Sequence, residues 1–303
     1  APEGIIWLAS DGGLTRFNPN AKTPQDMWFT YNDANSPLIM DSVRSIDMDS
    51  QGNLWLTNVS VQFSNGALFK FNPATNQWTQ YVVGQQLPWN PPWYDVNAVH
   101  VGQSGKVYVT HSTLAGFAEF NGTTWALHSN GLPLDDILED LQGNVWFTSS
   151  QYGLIKWNGT SFSSFNLGSQ GTITALGMDS NGLVYAGSWY GDIFKIVNGT
   201  AAQFLLNAQD IPGSIHVRPN GEMWINNYGG NGILGTVRHY SAAGQLLERI
   251  NTYNSGLPDY FIDNAIQTDS AGNMWFACGE GGLSRMQGSN GASDAPTHWR
   301  NWG

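Results

Sequence analysis

The run Glu139-Asp-Leu-Gln-Gly-Asn-Val-Trp-Phe-Thr-Ser-Ser-Gln-Tyr-Gly-Leu-Ile-Lys-Trp-Asn-Gly-Thr-Ser-Phe162 decides the fold of this chain. It reads as strand, tight turn, strand, loop, strand, turn, strand. Val145 and Phe147, then Leu154 and Lys156, alternate with their neighbours at the period of a half-buried strand. Gly143-Asn144 and Asn158-Gly159 supply residues that tolerate the positive φ of hairpin turns. One such unit cannot bury its own apolar faces, so the chain must repeat it.

Asp49-Ser-Gln-Gly-Asn-Leu-Trp55, Asp140-Leu-Gln-Gly-Asn-Val-Trp146 and Asp269-Ser-Ala-Gly-Asn-Met-Trp275 share the turn-plus-Trp signature. Looser copies end at Trp7, Tyr108, Tyr185 and Trp224. The seven aromatic anchors are spaced by 48, 53, 38, 39, 39 and 51 residues. Four strands at a period of roughly 40–45 residues is the signature of a β-propeller. The expected fold is therefore all-β: one domain over residues 1–303, a seven-bladed propeller of four-stranded antiparallel blades, with six or eight blades as alternatives.

With strands lettered A to D from the inside outward, the inner strands are expected at 42–48, 96–101, 136–140, 172–178, 214–217 and 262–267. The first repeat starts at strand B, Ile5 to Ala9, so the first blade lacks its inner strand. An open inner edge leaves ladder groups unpaired, which leads to the expectation that the polypeptide extends beyond one or both ends. The repeated residues have structural work: Gly permits the A–B turn, and the strand-B aromatic fills the gap between blades. Asn121, Asn158 and Asn198, each followed by Gly-Thr, match an N-glycosylation pattern but read first as C–D turns.

Charged residues are 12% of the chain, about half the usual share, and the formal net charge is −11. Basic residues are scattered singly, which speaks against nucleic acid and anionic membranes as partners. No apolar run is long enough to insert in a membrane as a helix. The lone Cys278 forms no internal disulfide and reads as a buried strand residue.

These residues resemble the two-component regulator propeller repeat. The match is carried by Asn130-Gly-Leu-Pro133 running into Asp140-Leu-Gln-Gly-Asn-Val-Trp146, and by Asn254-Ser-Gly-Leu-Pro258 with Asp269 to Trp275 and Gly282-Leu-Ser-Arg285. The resemblance implies a bacterial, extracytoplasmic sensor-type or secreted module, periplasmic or at the cell surface, often responsive to glycans. It describes scaffold and brings no catalytic residue. The chain contains no histidine-kinase motif and no regulator domain.

Function on such a scaffold belongs to the loops. The B–C and D–A loops carry Trp89, Trp93, Tyr94, His111, Tyr152, Trp189, Tyr190, Tyr228 and Tyr260. Aromatic faces among Asn, Asp and Gln suit sugar rings, which present apolar C–H faces and peripheral hydroxyls. The leading expectation is a non-catalytic module binding an oligo- or polysaccharide on this surface. One alternative is a carbohydrate-active enzyme on the same face, either a polysaccharide lyase in which His111 or His216 works with Tyr190 or Tyr228, or a glycoside hydrolase using a pair of loop carboxylates. Another is a scaffold that binds a protein partner through the same loops. No metal-ligand spacing is present, and neither a metal nor another cofactor is expected.

Overall fold

The computed structural model describes residues 4–40, 42–58, 66–90, 96–111, 113–165, 167, 172–197, 199–205, 211–228, 236–258, 262–269, 271–278, 282–287 and 299–302. Blade one holds β1 (Ile6–Ser10), β2 (Gly13–Phe17), the short helix α1 (Pro24–Met27) and β3 (Trp28–Tyr31). Blade two holds β4 (Val43–Met48), β5 (Leu54–Asn58), β6 (Ala67–Asn72) and β7 (Gln77–Val82). Blade three holds β8 (Val96–Val101), β9 (Val107–His111), β10 (Ala115–Phe120) and β11 (Trp125–Pro133). Blade four holds β12 (Ile137–Glu139), β13 (Val145–Ser149), β14 (Gly153–Trp157) and β15 (Phe162–Phe165). Blade five holds β16 (Ile173–Met178), β17 (Val184–Ser188), β18 (Ile193–Val197) and β19 (Thr200–Leu205). Blade six holds β20 (Ile211–Val217), β21 (Met223–Tyr228), β22 (Thr236–Tyr240) and β23 (Leu246–Ile250). Blade seven holds β24 (Ile262–Thr268), β25 (Met274–Cys278), β26 (Gly282–Met286) and β27 (Trp299–Trp302).

Each sheet is an antiparallel meander, six of four strands and the first of three, making a seven-bladed β-propeller. The expected inner strands are present, and that of blade six begins three residues earlier than expected, at Ile211. The chain falls into two compact units, residues 1–139, 143–149 and 157–162 in one, and 140–142, 150–156 and 163–303 in the other. Helix α1 was not foreseen. Its Thr23 cap accepts from the Asp26 amide, and Pro24 fits the first turn.

Strands B are not half-buried, as alternation suggested. β5, β9, β13 and β17 are buried along their whole length, because each lies inside a sheet that is covered on both faces. β1 is only partly buried and pairs with β2 alone among the described residues.

The Asp of the A–B turn does more than shape that turn. Asp49 Oδ1 accepts from the Gln51 and Asn53 amides and from Asn53 Nδ2. Its Oδ2 accepts from Trp55 Nε1 at 3.2 Å, with Lys70 Nζ 3.5 Å away and lying over the indole face. Asp269 repeats this with Asn273 and with Trp275 Nε1 at 2.9 Å, under the Arg285 guanidinium. The repeated basic residue of strand C therefore pairs with the strand-B ring through cation–π contact.

Blades three and six depart from the rule. Gly102 stands where the turn Asp belongs, and a Cβ there would lie 2.7 Å from the Glu139 carboxylate. Glu139, from blade four, takes over the role: it accepts from Gln103 N and from the Tyr108 hydroxyl at 3.0 Å. Burial, reinforced by the Glu139 charge, pushes the Tyr108 phenol above its ordinary range. In blade six Arg218 replaces the Asp. Trp224 Nε1 has no hydrogen-bond partner among the described residues, and its ring stacks on His239 at 4.1 Å instead of under a cation.

Inner strands carry a β-bulge, and a hydroxyl fills it. Thr57 Oγ1 accepts from Ser45 N and donates to Asn97 O of the next blade. Thr110 Oγ1 accepts from Ala98 N and donates to Asp135 O at 2.7 Å. In blade five, where Gly187 occupies the Thr position, Thr174 donates to Pro212 O instead. Two register positions further along, Asp47 accepts from Val101 N, and His100 Nε2 accepts from Glu139 N while its Nδ1 lies 3.0 Å from Asp47. At the matching Gly177 the neighbouring strand comes so near that a Cβ would meet Ile215 O at 2.6 Å.

Thr110→Val keeps the shape but strands one buried N–H and one buried C=O. The expected cost is about 2 kcal/mol, read by urea unfolding, with Thr110→Ser near wild type.

Candidate functional site

The nine loop residues singled out from sequence divide sharply. Trp89 is 3% exposed and packs with Val83, Leu87, Val96 and Val109. The proline-rich D–A loop folds inward at this point, with the amides of Gln85, Gln86 and Leu87 all donating to Val82 O. His111 is 0% exposed, 5.5 Å from the Trp89 ring, and its Nδ1 accepts from the Thr113 and Leu114 amides. Both residues belong to the core. Their large apolar or planar bodies are worth more buried than displayed, and His111 stabilises the B–C loop from beneath. Trp93, Tyr94 and Tyr260 lie outside the described residues. Tyr228 ends β21 opposite Ile211, and its side chain lies outside the description.

Tyr152, Trp189 and Tyr190 remain, and all three are displayed. They are 50%, 53% and 63% exposed, among the most exposed large apolar residues of the chain. The reason is local. Gly191 N donates to Ser188 O at 2.9 Å, closing a four-residue turn whose central positions are Trp189 and Tyr190. Gly191 has φ 86°, a value that costs glycine nothing, and Asp192 N then bonds Ser188 Oγ. Tyr152 sits in the corresponding tight loop between β13 and β14, before Gly153 with φ 76°.

Thr172 ties the two loops together. Its carbonyl accepts from Trp189 N at 3.0 Å, and its hydroxyl donates to Ser150 O at 2.9 Å. The backbones of both aromatic loops thus lie within hydrogen-bond reach of one residue, which fixes their spacing. Ring faces beside the exposed Ser150 and Gln151 can stack on an apolar surface while hydroxyl and amide groups bond its periphery. Sequence reasoning missed Thr172 as a site residue, and the missing signal is its place immediately before the bulged inner strand β16.

The histidines proposed for catalysis are occupied elsewhere. His216 lies on β20 with Nε2 2.7 Å from Thr268 Oγ1. Burial, with Arg218 adding to it, holds its imidazole down at about 4. A folded value below the unfolded one favours the folded state above pH ~6.5, and that contribution is lost as pH falls from about 6.5 to 4. Stability is expected to drop by about 2 kcal/mol over this window, after discounting for residual exposure, and His216→Gln should flatten the drop in unfolding experiments at a series of pH values. Among the described residues no group of three or more His, Cys, Asp or Glu is placed to hold a metal ion. No helix among them is long and apolar enough to cross a membrane.

No family model and no curated protein matches the sequence. Solved structures do match. PorZ of Porphyromonas gingivalis, a bacterial surface component of the type-IX secretion system, superposes with a TM-score of 0.73 at 17% identity over 97% of this chain and 47% of that one. Virginiamycin B lyase of Staphylococcus aureus gives 0.65 at 14% identity, over 86% of this chain and 83% of the lyase. The extracellular domain of BT4673, a two-component-system protein of B. thetaiotaomicron, gives 0.56 at 18% identity, over 96% of this chain and 38% of that chain. At these identities the likeness is one of fold. This chain spans less than half of the PorZ and BT4673 chains.

Proposed function

We propose that this propeller is a non-catalytic recognition module of the extracytoplasmic sensor type, akin to the two-component regulator propeller repeat, which binds a glycan on its B–C loops. The observation that carries the reading is the display of Tyr152, Trp189 and Tyr190 on two adjacent loops locked by Thr172. Three large rings left half or more in water add little to folding, and such patches mark binding surfaces. Support also comes from the surface-exposed and extracellular propellers with this fold. A periplasmic, secreted or cell-surface location fits the reading.

Isothermal titration of the chain against a panel of oligo- and polysaccharides tests it. Binding to at least one is expected, weakened ~30-fold or more in Trp189→Ala/Tyr190→Ala, as for buried aromatic anchors at other interfaces. Silence across the whole panel would sink the reading, and capture of a protein through the same loops would replace it.

A further inference from the structure

The two aromatic loops carry no charged side chain. Residues 149–153, Thr172 and residues 188–191 include no Asp, Glu, Lys or Arg. The next residue, Asp192, is 6% exposed, and its amide is already bonded to Ser188 Oγ. The nearest cations of these blades are Lys156 and Lys195, the fourth residue of β14 and the third of β18. Two or three residues of strand separate each from its loop, roughly 7–10 Å. Lys195 is moreover engaged over the Tyr185 and Phe204 rings, at 5.8 and 5.3 Å.

The whole molecule carries a net charge of −11. An anionic polymer approaching these loops meets a repulsive field and finds no guanidinium or ammonium to bind its carboxylates or sulfates. A neutral pyranose chain pays no such cost. It needs ring faces and uncharged hydrogen-bonding groups, and the loops provide both.

Resting on the glycan reading of the same loops, we propose that the platform Tyr152–Trp189–Tyr190 selects neutral polysaccharides and rejects uronate-containing or sulfated ones. Thr172 is a positioning residue: it holds the two loops at the spacing the ligand spans. This choice of ligand also removes the substrate that a β-eliminating lyase would require, because elimination needs the acidified C5 proton of a uronate.

Affinity gel electrophoresis separates the possibilities, using the chain and its Trp189→Ala/Tyr190→Ala and Tyr152→Ala variants. The neutral probes are xyloglucan, galactomannan and hydroxyethylcellulose, and the anionic ones polygalacturonate, alginate and heparin. Retardation by a neutral polymer is expected, unchanged between about 0.05 and 0.5 M NaCl because no ion pair contributes. It should be lost in the double variant, which melts like wild type because both rings are exposed. Thr172→Val removes the hydroxyl bond to Ser150 O and keeps the carbonyl that accepts from Trp189 N, so it should weaken retardation by loosening the Tyr152 loop, with Thr172→Ser restoring it. Retardation by an anionic polymer equal to or stronger than by the neutral ones overturns the selectivity while leaving the glycan reading intact. Neutral binding that survives in the double variant overturns the site, and absence of binding to every polymer overturns both readings.

Discussion

Asp49→Ala is expected to lower the unfolding free energy by about 3–4 kcal/mol, measured by urea or thermal denaturation. The side chain is buried and accepts from Gln51 N, Asn53 N, Asn53 Nδ2 and Trp55 Nε1. Removing it takes the acceptor from two backbone amides, a carboxamide and an indole N–H, and Lys70 loses its counter-charge. At the exposed Asp26, whose carboxylate accepts from Thr23 Oγ1, the change to Ala is expected to alter stability by less than about 1 kcal/mol. Asp49 also leaves a signature in pH. Burial pushes its carboxyl up, but the Asn53 side chain and amide, the Trp55 indole and Lys70 outweigh this and hold it below the ordinary range. Its contribution is complete above the unfolded carboxylate value of about 3.9 and is lost as pH falls through the lower folded value. Asp49→Asn should therefore flatten the acid limb of the stability curve as well as lowering its plateau, and Asp269→Asn should do the same in blade seven.

Trp224→Ala should cost about 4 kcal/mol, whereas Trp189→Ala should stay within about 0.5 kcal/mol of wild type. The two indoles lie in neighbouring blades and differ only in environment. Trp224 has no exposed surface, stacks on His239 and touches Phe276 edge-on at 6.3 Å. A more discriminating variant is Trp224→Phe. It removes an indole N–H that has no partner among the described residues, so part of the lost volume is offset by relief of a buried unsatisfied donor. Trp55→Phe has no such relief, since Trp55 Nε1 is bonded to Asp49. The difference between the two Trp→Phe costs, read in the same denaturation series, is expected to be about 1–2 kcal/mol in favour of Trp224→Phe. Equal costs would mean that the Asp–indole bond contributes nothing.

The blades were legible because their signals are local. Gly in the A–B turn, Trp six residues after Asp, and Asn-Gly at the C–D turn are set by φ and by hairpin geometry over a few residues. Blade number followed from counting the anchors. The three strands of blade one were legible for the same reason, and among the described residues its sheet is β1-β2-β3. Exposure was not legible. Trp89 and Trp189 look alike as loop tryptophans, yet the first is drawn under Val83 and Leu87 by its long connection. The second is held outward by a turn too short to fold back. Sequence gives residue type and spacing, whereas exposure depends on how much chain is available to reach the core. The role of Glu139 was hidden in another way, because it replaces an Asp that Gly102 lacks 37 positions earlier. The clue was present as a paired departure: a Gly where the pattern asks for Asp, and a Glu that no turn requires. The loop Asn32 to Leu38 and its copy Asn251 to Leu257 were also readable in hindsight. In each, the second Asn accepts from the first Asn's amide, and Ser bonds the first Asn's carbonyl.

The threonines that fill the inner-strand bulges bear on how such a chain grows in evolution. Thr57 and Thr110 each deliver their hydroxyl to a carbonyl of the following blade, as Thr174 does from its own inner strand. The receiving group is main chain, present whatever residue stands there: Asn97, Asp135 and Pro212 serve equally. A duplicated blade carries its own fastener and finds a ready acceptor in whichever blade follows, with no matching substitution needed on the other side. Side-chain pairs such as Tyr108 with Glu139 lack this freedom and bind two particular blades to each other as neighbours. Copying blade five should therefore be tolerated more readily than separating blade three from blade four, or blade six, with its His216–Thr268 pair, from blade seven.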